Sequence, residues 1–192
     1  AQHGVCFSDG RPPVILHRCD RLERTQASLS RYSARDAEVY GELKRQVDDL
    51  DDLMAEGLFA PARRAWFARQ AEVLGEIARG AGYTAPLGGA SALTLIDSLF
   101  EAPETRALFY QLAGEFGVGI DDLGGDLSFL GLVLWIVGRW RLPLGGMQAV
   151  PNALRRLAER AGVTVATGAR VSRIDVMNGR ARGVFVPGYG RV

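Results

Sequence analysis

From Leu127 to Val137 the chain runs eleven residues with Ser128 as the one polar side chain, and this stretch restricts the fold more than any other. Phe129, Leu130, Leu132, Val133, Leu134, Trp135, Ile136 and Val137 are apolar around most of a helical circumference, so a helix here has no polar face and must be covered on nearly all sides. The run is short of the ~20 residues that span a bilayer, so no transmembrane helix is expected. The cover comes either from the protein's own core or from outside it. In the second case one side lines a substrate cavity, faces another part of a longer protein, pairs with a second copy as a homodimer, or touches a membrane surface peripherally. Trp135, Arg139, Trp140 and Arg141 then stand at the polar boundary.

The rest of the chain can supply such a cover. Its 192 residues suit one ordinary domain, or one domain plus part of another, and 47% hydrophobic with 23% charged residues is a globular composition. Basic and acidic residues nearly cancel, 23 against 22, leaving no net field for nucleic acid. Lys44 is the only lysine, so a Schiff-base role falls to it or to no residue. Two cysteines, Cys6 and Cys19, and two histidines, His3 and His17, are too few for a disulfide framework or a structural zinc site, so buried reduced thiols and no metal are expected. No basic stretch followed by an apolar one opens the sequence, and a cytoplasmic location is the expectation.

Local patterns give the elements. Gly4 to Phe7 and Pro13 to His17, with Ser8-Asp9-Gly10 between them, read as a β-hairpin. Asp20 with Glu23, and Ser33 with Asp36, are spaced as capping boxes and start helices. Apolar spacing predicts one helix over 34–54, whose other face carries Asp48, Asp49, Asp51 and Asp52; that cluster reads as a solvated face, because no glycine-punctuated calcium loop surrounds it. Further helices are expected over 62–79, 91–100 and 103–116, the last with Pro103 in its first turn. Gly117-Val118-Gly119 opens like a dinucleotide fingerprint, but Asp122 stands where the third glycine belongs and no strand precedes it, so 114–125 is a loop. After Pro143 a helix over 147–161 is followed by strands over 163–166, 171–177 and 180–186, the last two joined by Asn178-Gly179, the strongest hairpin signal in the chain. Ser8, Ser28, Ser91 and the histidines lack any nucleophile-elbow or triad context.

The string Pro143-Leu144-Gly145-Gly146-Met147-Gln148-Ala149-Val150, the Arg-rich helix after it, and Ala161-Gly162-Val163-Thr164-Val165-Ala166-Thr167-Gly168-Ala169-Arg170-Val171-Ser172-Arg173-Ile174 together resemble the central signature of the phytoene-desaturase-like, FAD-dependent oxidoreductases. Asn178-Gly179-Arg180-Ala181-Arg182-Gly183-Val184 continues it, and Arg21 to Thr25, Ser33 to Ala37 and Phe100 to Arg106 resemble more loosely the segments entering the helical substrate domain of those enzymes. The resemblance implies an α+β chain: a helical substrate-type domain with a small sheet over 1–142, then a helix and β-hairpin of a split FAD-binding domain over 143–192. It implies hydride removal from, or isomerisation of, an apolar substrate, for example isoprenoid or lipid-like, by the flavin, with no catalytic side chain assigned, since the cofactor carries the redox chemistry. By motif, Gly145 and Gly146 form a tight turn against flavin and substrate, and Val171 offers backbone hydrogen bonds to the adenine. Phe129, Val133 and Trp135 of the apolar stretch, with Met147, are the residues expected to line a substrate cavity.

Two family features are absent: the G-x-G-x-x-G after a first strand, which places the pyrophosphate on a helix N-terminus, and the glycine-rich C-terminal flavin segment. Val186 to Arg191, with Pro187-Gly188, also departs from the family's Asp-Gly turn. The expectation is a piece of a longer enzyme whose missing flavin-domain segments are its partners, and which does not retain FAD alone. The alternative is a flavin-free binding or interaction protein derived from the same fold.

Overall fold

The computed structural model describes residues 2–59, 61 and 63–192, with the backbone alone for 57–59, and begins with the hairpin that the sequence calls for. β1 (His3–Val5) pairs antiparallel with β2 (Val14–Leu16), in the register His3 to Leu16. Alternate residues of β2, Val14 and Leu16, are fully buried. Its backbone is tied to α1 (Leu22–Leu29): Ile15 N and His17 N donate to Ser28 Oγ and Thr25 Oγ1, both at 2.8 Å. Small hydroxyl side chains on the helix thus satisfy donors that a short strand would otherwise leave unpaired.

Of the two expected capping boxes neither closes, because the Asp36 carboxylate turns to Glu101 N and Ala102 N, but one half forms. Ser33 caps α2 (Ala34–Asp48), its hydroxyl accepting from Asp36 N at 3.0 Å. Asp20 does not cap; its carboxylate is held by the Arg18 guanidinium at 2.9 Å, and the chain enters α1 through a 3₁₀ turn at Cys19–Arg21. The single helix expected over 34–54 is two, α2 and α3 (Asp51–Phe59), because the chain turns at Asp49 and Leu50, with Leu50 N donating to Val47 O. α4 (Arg64–Gly80), α5 (Ala92–Leu99) and α6 (Pro103–Glu115) follow, with Ser91 capping α5 and Pro103 in the first turn of α6. Ala62, where the sequence starts the helix observed as α4, lies outside the described residues.

Buried carboxylates fix the connections. Asp36, fully buried, accepts from Glu101 N at 2.8 Å and Ala102 N at 3.0 Å, docking the start of α6 on α2. Asp126, also fully buried, accepts from Gly88 N at 3.0 Å, Tyr83 Oη at 3.1 Å and Ala90 N at 3.3 Å, and holds the loop between α4 and α5. Between these anchors Phe109 packs against Phe100, Tyr40 and Phe129 at centroid distances of 4.5, 5.6 and 5.8 Å. Each such side chain contributes roughly 1.5–3 kcal/mol by burial. The apolar stretch closes this core. It forms α7 (Gly125–Ser128), a π-helical segment (Phe129–Val133) and α8 (Leu134–Ile136). Phe129, Leu130, Val133 and Leu134 are fully buried, and Leu132, Trp135 and Ile136 half-buried, so the cover is chiefly the protein's own core.

The chain divides into two compact units, one ending at Trp140 and the other spanning Arg141–Val192. The second contains α9 (Ala149–Arg160) and a three-stranded antiparallel sheet in the order β3 (Arg173–Met177), β4 (Arg180–Val186), β5 (Gly190–Arg191). Asn178 and Gly179 have φ of 53° and 72°, the left-handed pair of a type I′ turn, as their residue types require. Pro187-Gly188 makes a turn of its own: Gly188 has φ 85°, Tyr189 N donates to Val186 O, and the sequence that departs from the family pattern still delivers β5 to β4. Val163 to Ala166 is not a strand; Val163 and Val165 are 53% and 45% exposed and no described strand pairs with them.

Candidate functional site

Among the described residues, α7 and the π segment border two clefts of the first unit. Leu134 N donates to Phe129 O, the i→i+5 bond of a π turn, a rare geometry that concentrates at functional sites. Gly131 sits in this turn and lets it approach α4 closely: a Cβ there would fall 2.8 Å from Leu74 Cδ1 and 3.1 Å from Gln70 Nε2. The next residue, Leu132, lines two clefts together with Ser128. One, of about 340 Å³, is completed by Met54, Trp66, Phe67, Gln70 and Leu127. The other, of about 460 Å³, is walled by the glycine-rich loop from Phe116 to Gly125.

At the far end of α8 four charged groups converge. Lys44, 1% exposed, donates from Nζ to Asp48 Oδ1 at 2.6 Å and to Leu134 O at 2.9 Å, occupying a carbonyl at the helix end. Arg139 joins Asp48 at 2.8 Å to Asp51 at 2.7 Å, lies 5.4 Å over the Trp135 ring, and Trp135 Nε1 donates to Asp51 at 2.8 Å. Asp48 and Asp51 are therefore partners in an ion network, a correction to their reading as a solvated face; Asp49 and Asp52 are exposed. Burial lowers the Lys44 pKa against the pull of Asp48. Burial also opposes the Arg139 charge, but Asp48 and Asp51 hold its pKa above the ordinary value. A lysine so enclosed, with its donors directed at fixed acceptors, offers no route to a carbonyl substrate. The network is a helix terminator.

Of the expected substrate-cavity residues, Phe129 and Val133 are fully buried in the core and Trp135 is half-buried in the ion network. These three lie in the first unit; Gly145, Gly146, Met147 and Val171 lie in the second. Gly145 and Gly146 have φ of 87° and 83°, Gly146 N donates to Pro143 O at 3.0 Å, and nothing stands within 4 Å of a Cβ at either, so their requirement for glycine is conformational. Met147 is 63% exposed, and Val171, 47% exposed, precedes β3 by two positions. Cys6 is exposed and Cys19 half-buried, both as free thiols, which corrects the expectation that both are buried. Among the described residues no cluster of His, Cys, Asp and Glu has the makings of a metal site, and no helix is long and apolar enough to cross a membrane. Met54, Trp66, Phe67 and Gln70 were not singled out from the sequence; the adjacent aromatics at the head of a helix were the available signal.

Comparison with known proteins bears on the family. The chain is 50% identical over 52 residues to a zeta-carotene-forming phytoene desaturase of Myxococcus xanthus, a match covering 27% of this chain and 10% of that enzyme. Over that stretch it is similar to a phytoene-desaturase-like oxidoreductase. No family model and no solved structure matches the chain.

Proposed function

We propose that this chain is the substrate-side portion, with part of the split flavin domain, of an FAD-dependent desaturase-like oxidoreductase that acts on an apolar molecule. The observation that carries this reading is the 50% identity over 52 residues to a phytoene desaturase. The second unit adds support, because its helix α9 has no buried residue and its sheet leaves Ile174, Val176 and Phe185 on the surface. A helix and hairpin with bare apolar faces are what a partial flavin domain leaves when its other layers lie elsewhere in the polypeptide. In this role the turn at Gly145 and Gly146 approaches the flavin, Val171 meets the adenine, and the first unit orients the substrate and excludes water while the flavin supplies the hydride chemistry.

The 192-residue chain purified alone is expected to carry no stoichiometric FAD, and a yellow protein with a bound-flavin absorption band would contradict this. The decisive test is expression of the complete open reading frame. The expected product contains an upstream G-x-G-x-x-G segment, binds FAD and reduces it with an apolar polyene. A complete product that lacks the fingerprint and stays colourless in added FAD overturns the reading.

A further inference from the structure

The cleft beside the π segment contains a polar group that its surroundings do not explain. Gln70 is 8% exposed on α4, among walls that are otherwise mainly apolar. Among the described residues its amide has one hydrogen-bond partner, Met54 Sδ, which receives from Nε2 at 3.2 Å. A thioether is a weak acceptor, so a stronger one can take its place at Nε2. No atom of this amide is both sealed from solvent and without a partner among the described residues, so the amide opens onto the cleft rather than into the core.

The rest of the cleft is built to hold something apolar. Trp66 is fixed by donation from Nε1 to Leu53 O at 3.0 Å, and the Phe67 ring stands edge-on to it at 4.8 Å, itself 49% exposed. Leu127 and Leu132 form the opposite wall. The volume of about 340 Å³ lies at the lower end of the roughly 300–1,000 Å³ typical of small-molecule sites, which combine an apolar lining with a few placed polar groups.

We propose that this cleft binds a small apolar molecule carrying one oxygen function, a carbonyl or a hydroxyl, whose oxygen takes the place of Met54 Sδ as the partner of the Gln70 amide. A pure hydrocarbon fits the walls but leaves the amide where it is. The oxygen therefore determines selectivity and the walls supply most of the affinity. The occupant is accordingly an oxygenated apolar compound rather than a bare hydrocarbon chain.

The test uses the full 192-residue chain with 1-decanol, 2-decanone and decane, each titrated against a bound hydrophobic fluorescent probe and followed in parallel by the Gln70 side-chain amide resonances. Decanol and decanone are expected to bind about 3–10-fold tighter than decane, the factor that one net hydrogen bond gives, and to shift the Gln70 amide signals, which decane leaves in place. Gln70→Leu should equalise the three ligands while keeping decane binding, and Leu132→Trp should fill the cleft and abolish all three, with folding checked by circular dichroism. Equal binding of all three to the wild type, a preference that survives Gln70→Leu, or no binding to a folded wild-type chain each overturns the proposal. No flavin enters these measurements, so their outcome is independent of whether the complete gene product binds FAD.

Discussion

Two amphipathic helices of similar pattern meet different fates in this molecule. α2 buries Tyr40, Leu43 and Val47 almost completely, whereas α9 leaves Val150, Leu154 and Leu157 at 44–60% exposure. The same contrast holds for the sheets: β2 hides Val14 and Leu16, while Ile174 and Val176 of β3 are about 60% exposed. In the unit that starts at Arg141, Val186 is the one apolar side chain among the described residues that is buried, at 6% exposure. The difference lies in what surrounds each element rather than in the element itself. An apolar stripe forms a helix or strand by its period, but it stabilises the protein only when a second layer removes it from water. About fifty residues holding one helix and one small sheet cannot provide that layer for themselves.

The sharpest way to break this comparison is to truncate one side chain in each region. Phe109→Ala removes a fully buried ring from the aromatic cluster and is expected to cost about 3–5 kcal/mol. Leu154→Ala, on the exposed stripe of α9, is expected to stay within about 0.5 kcal/mol in the same chain. Urea unfolding of the two variants measures both. A cost at Leu154 approaching that at Phe109 would mean that α9 is covered after all.

Glycines sharpen the comparison, because the two regions use the same backbone conformation against different surroundings. Gly138 has φ 85°, accepts from Cys19 N through its carbonyl, and a Cβ there would lie 2.8 Å from that nitrogen. Gly145 has φ 87° with nothing within 4 Å. Gly138→Ala is therefore expected to cost about 2–4 kcal/mol, left-handed strain plus overpacking, and Gly145→Ala about 1–2 kcal/mol from strain alone. Thermal unfolding of both proteins tests the ordering. Equal losses would show that the contact at Cys19 is relieved without cost.

What the sequence reveals follows the same division. Elements set by local chemistry were legible: Ser33 as a cap, Pro103 in a first turn, and Asn178-Gly179 as the hairpin turn. Features set by distant partners were not. The break at Asp49 and Leu50 interrupts an unbroken helical period, and the pairing of Asp48 with Arg139 and of Asp51 with Trp135 spans 91 and 84 positions. Val163 to Ala166 has strand composition but no described partner strand, and composition alone does not make a ladder. In the apolar stretch Phe129 and Val133 went into the core while Leu132 lines a cleft. Which face of an all-apolar helix looks outward is decided by its neighbours, here by the approach of α4 at Gly131.

The ion network gives a smaller effect with a distinctive pH signature. Lys44→Met keeps the length of the side chain but leaves the Leu134 carbonyl without its donor and Asp48 with Arg139 alone, at an expected cost of about 1–3 kcal/mol near neutral pH. Burial lowers the Lys44 pKa in the folded chain below its ordinary 10.5, so between the two values the unfolded chain binds the extra proton. Wild-type stability relative to Lys44→Met must then rise as pH increases through that window and level off above 10.5. Tyr83 and Tyr110, both pushed up to about 12 chiefly by burial, act in the opposite sense at high pH but equally in both proteins, so the difference isolates Lys44. A difference that is flat with pH would place the lysine in water rather than in the core.

A small effect is expected at the hairpin, and its locality separates the regions most cleanly. Asn178 occupies φ 53°, which asparagine tolerates better than other side-chain-bearing residues, so Asn178→Ala should cost about 0.5–1 kcal/mol in the turn. In a unit with a shared core that loss would be spread over the whole cooperative transition. Around β3 and β4 there is little core to spread it, since the facing residues Ile174, Val176 and Met177 are all more than half exposed. The loss should therefore appear as faster amide exchange at Met177 and Arg180, the pair that flanks the turn, by about 2–5-fold. Amides of α6 and the unfolding midpoint of the first unit should not move. If the midpoint falls and exchange in α6 quickens along with the hairpin, the two units unfold as one, and the exposed faces of the second are held by something stronger than its own sheet.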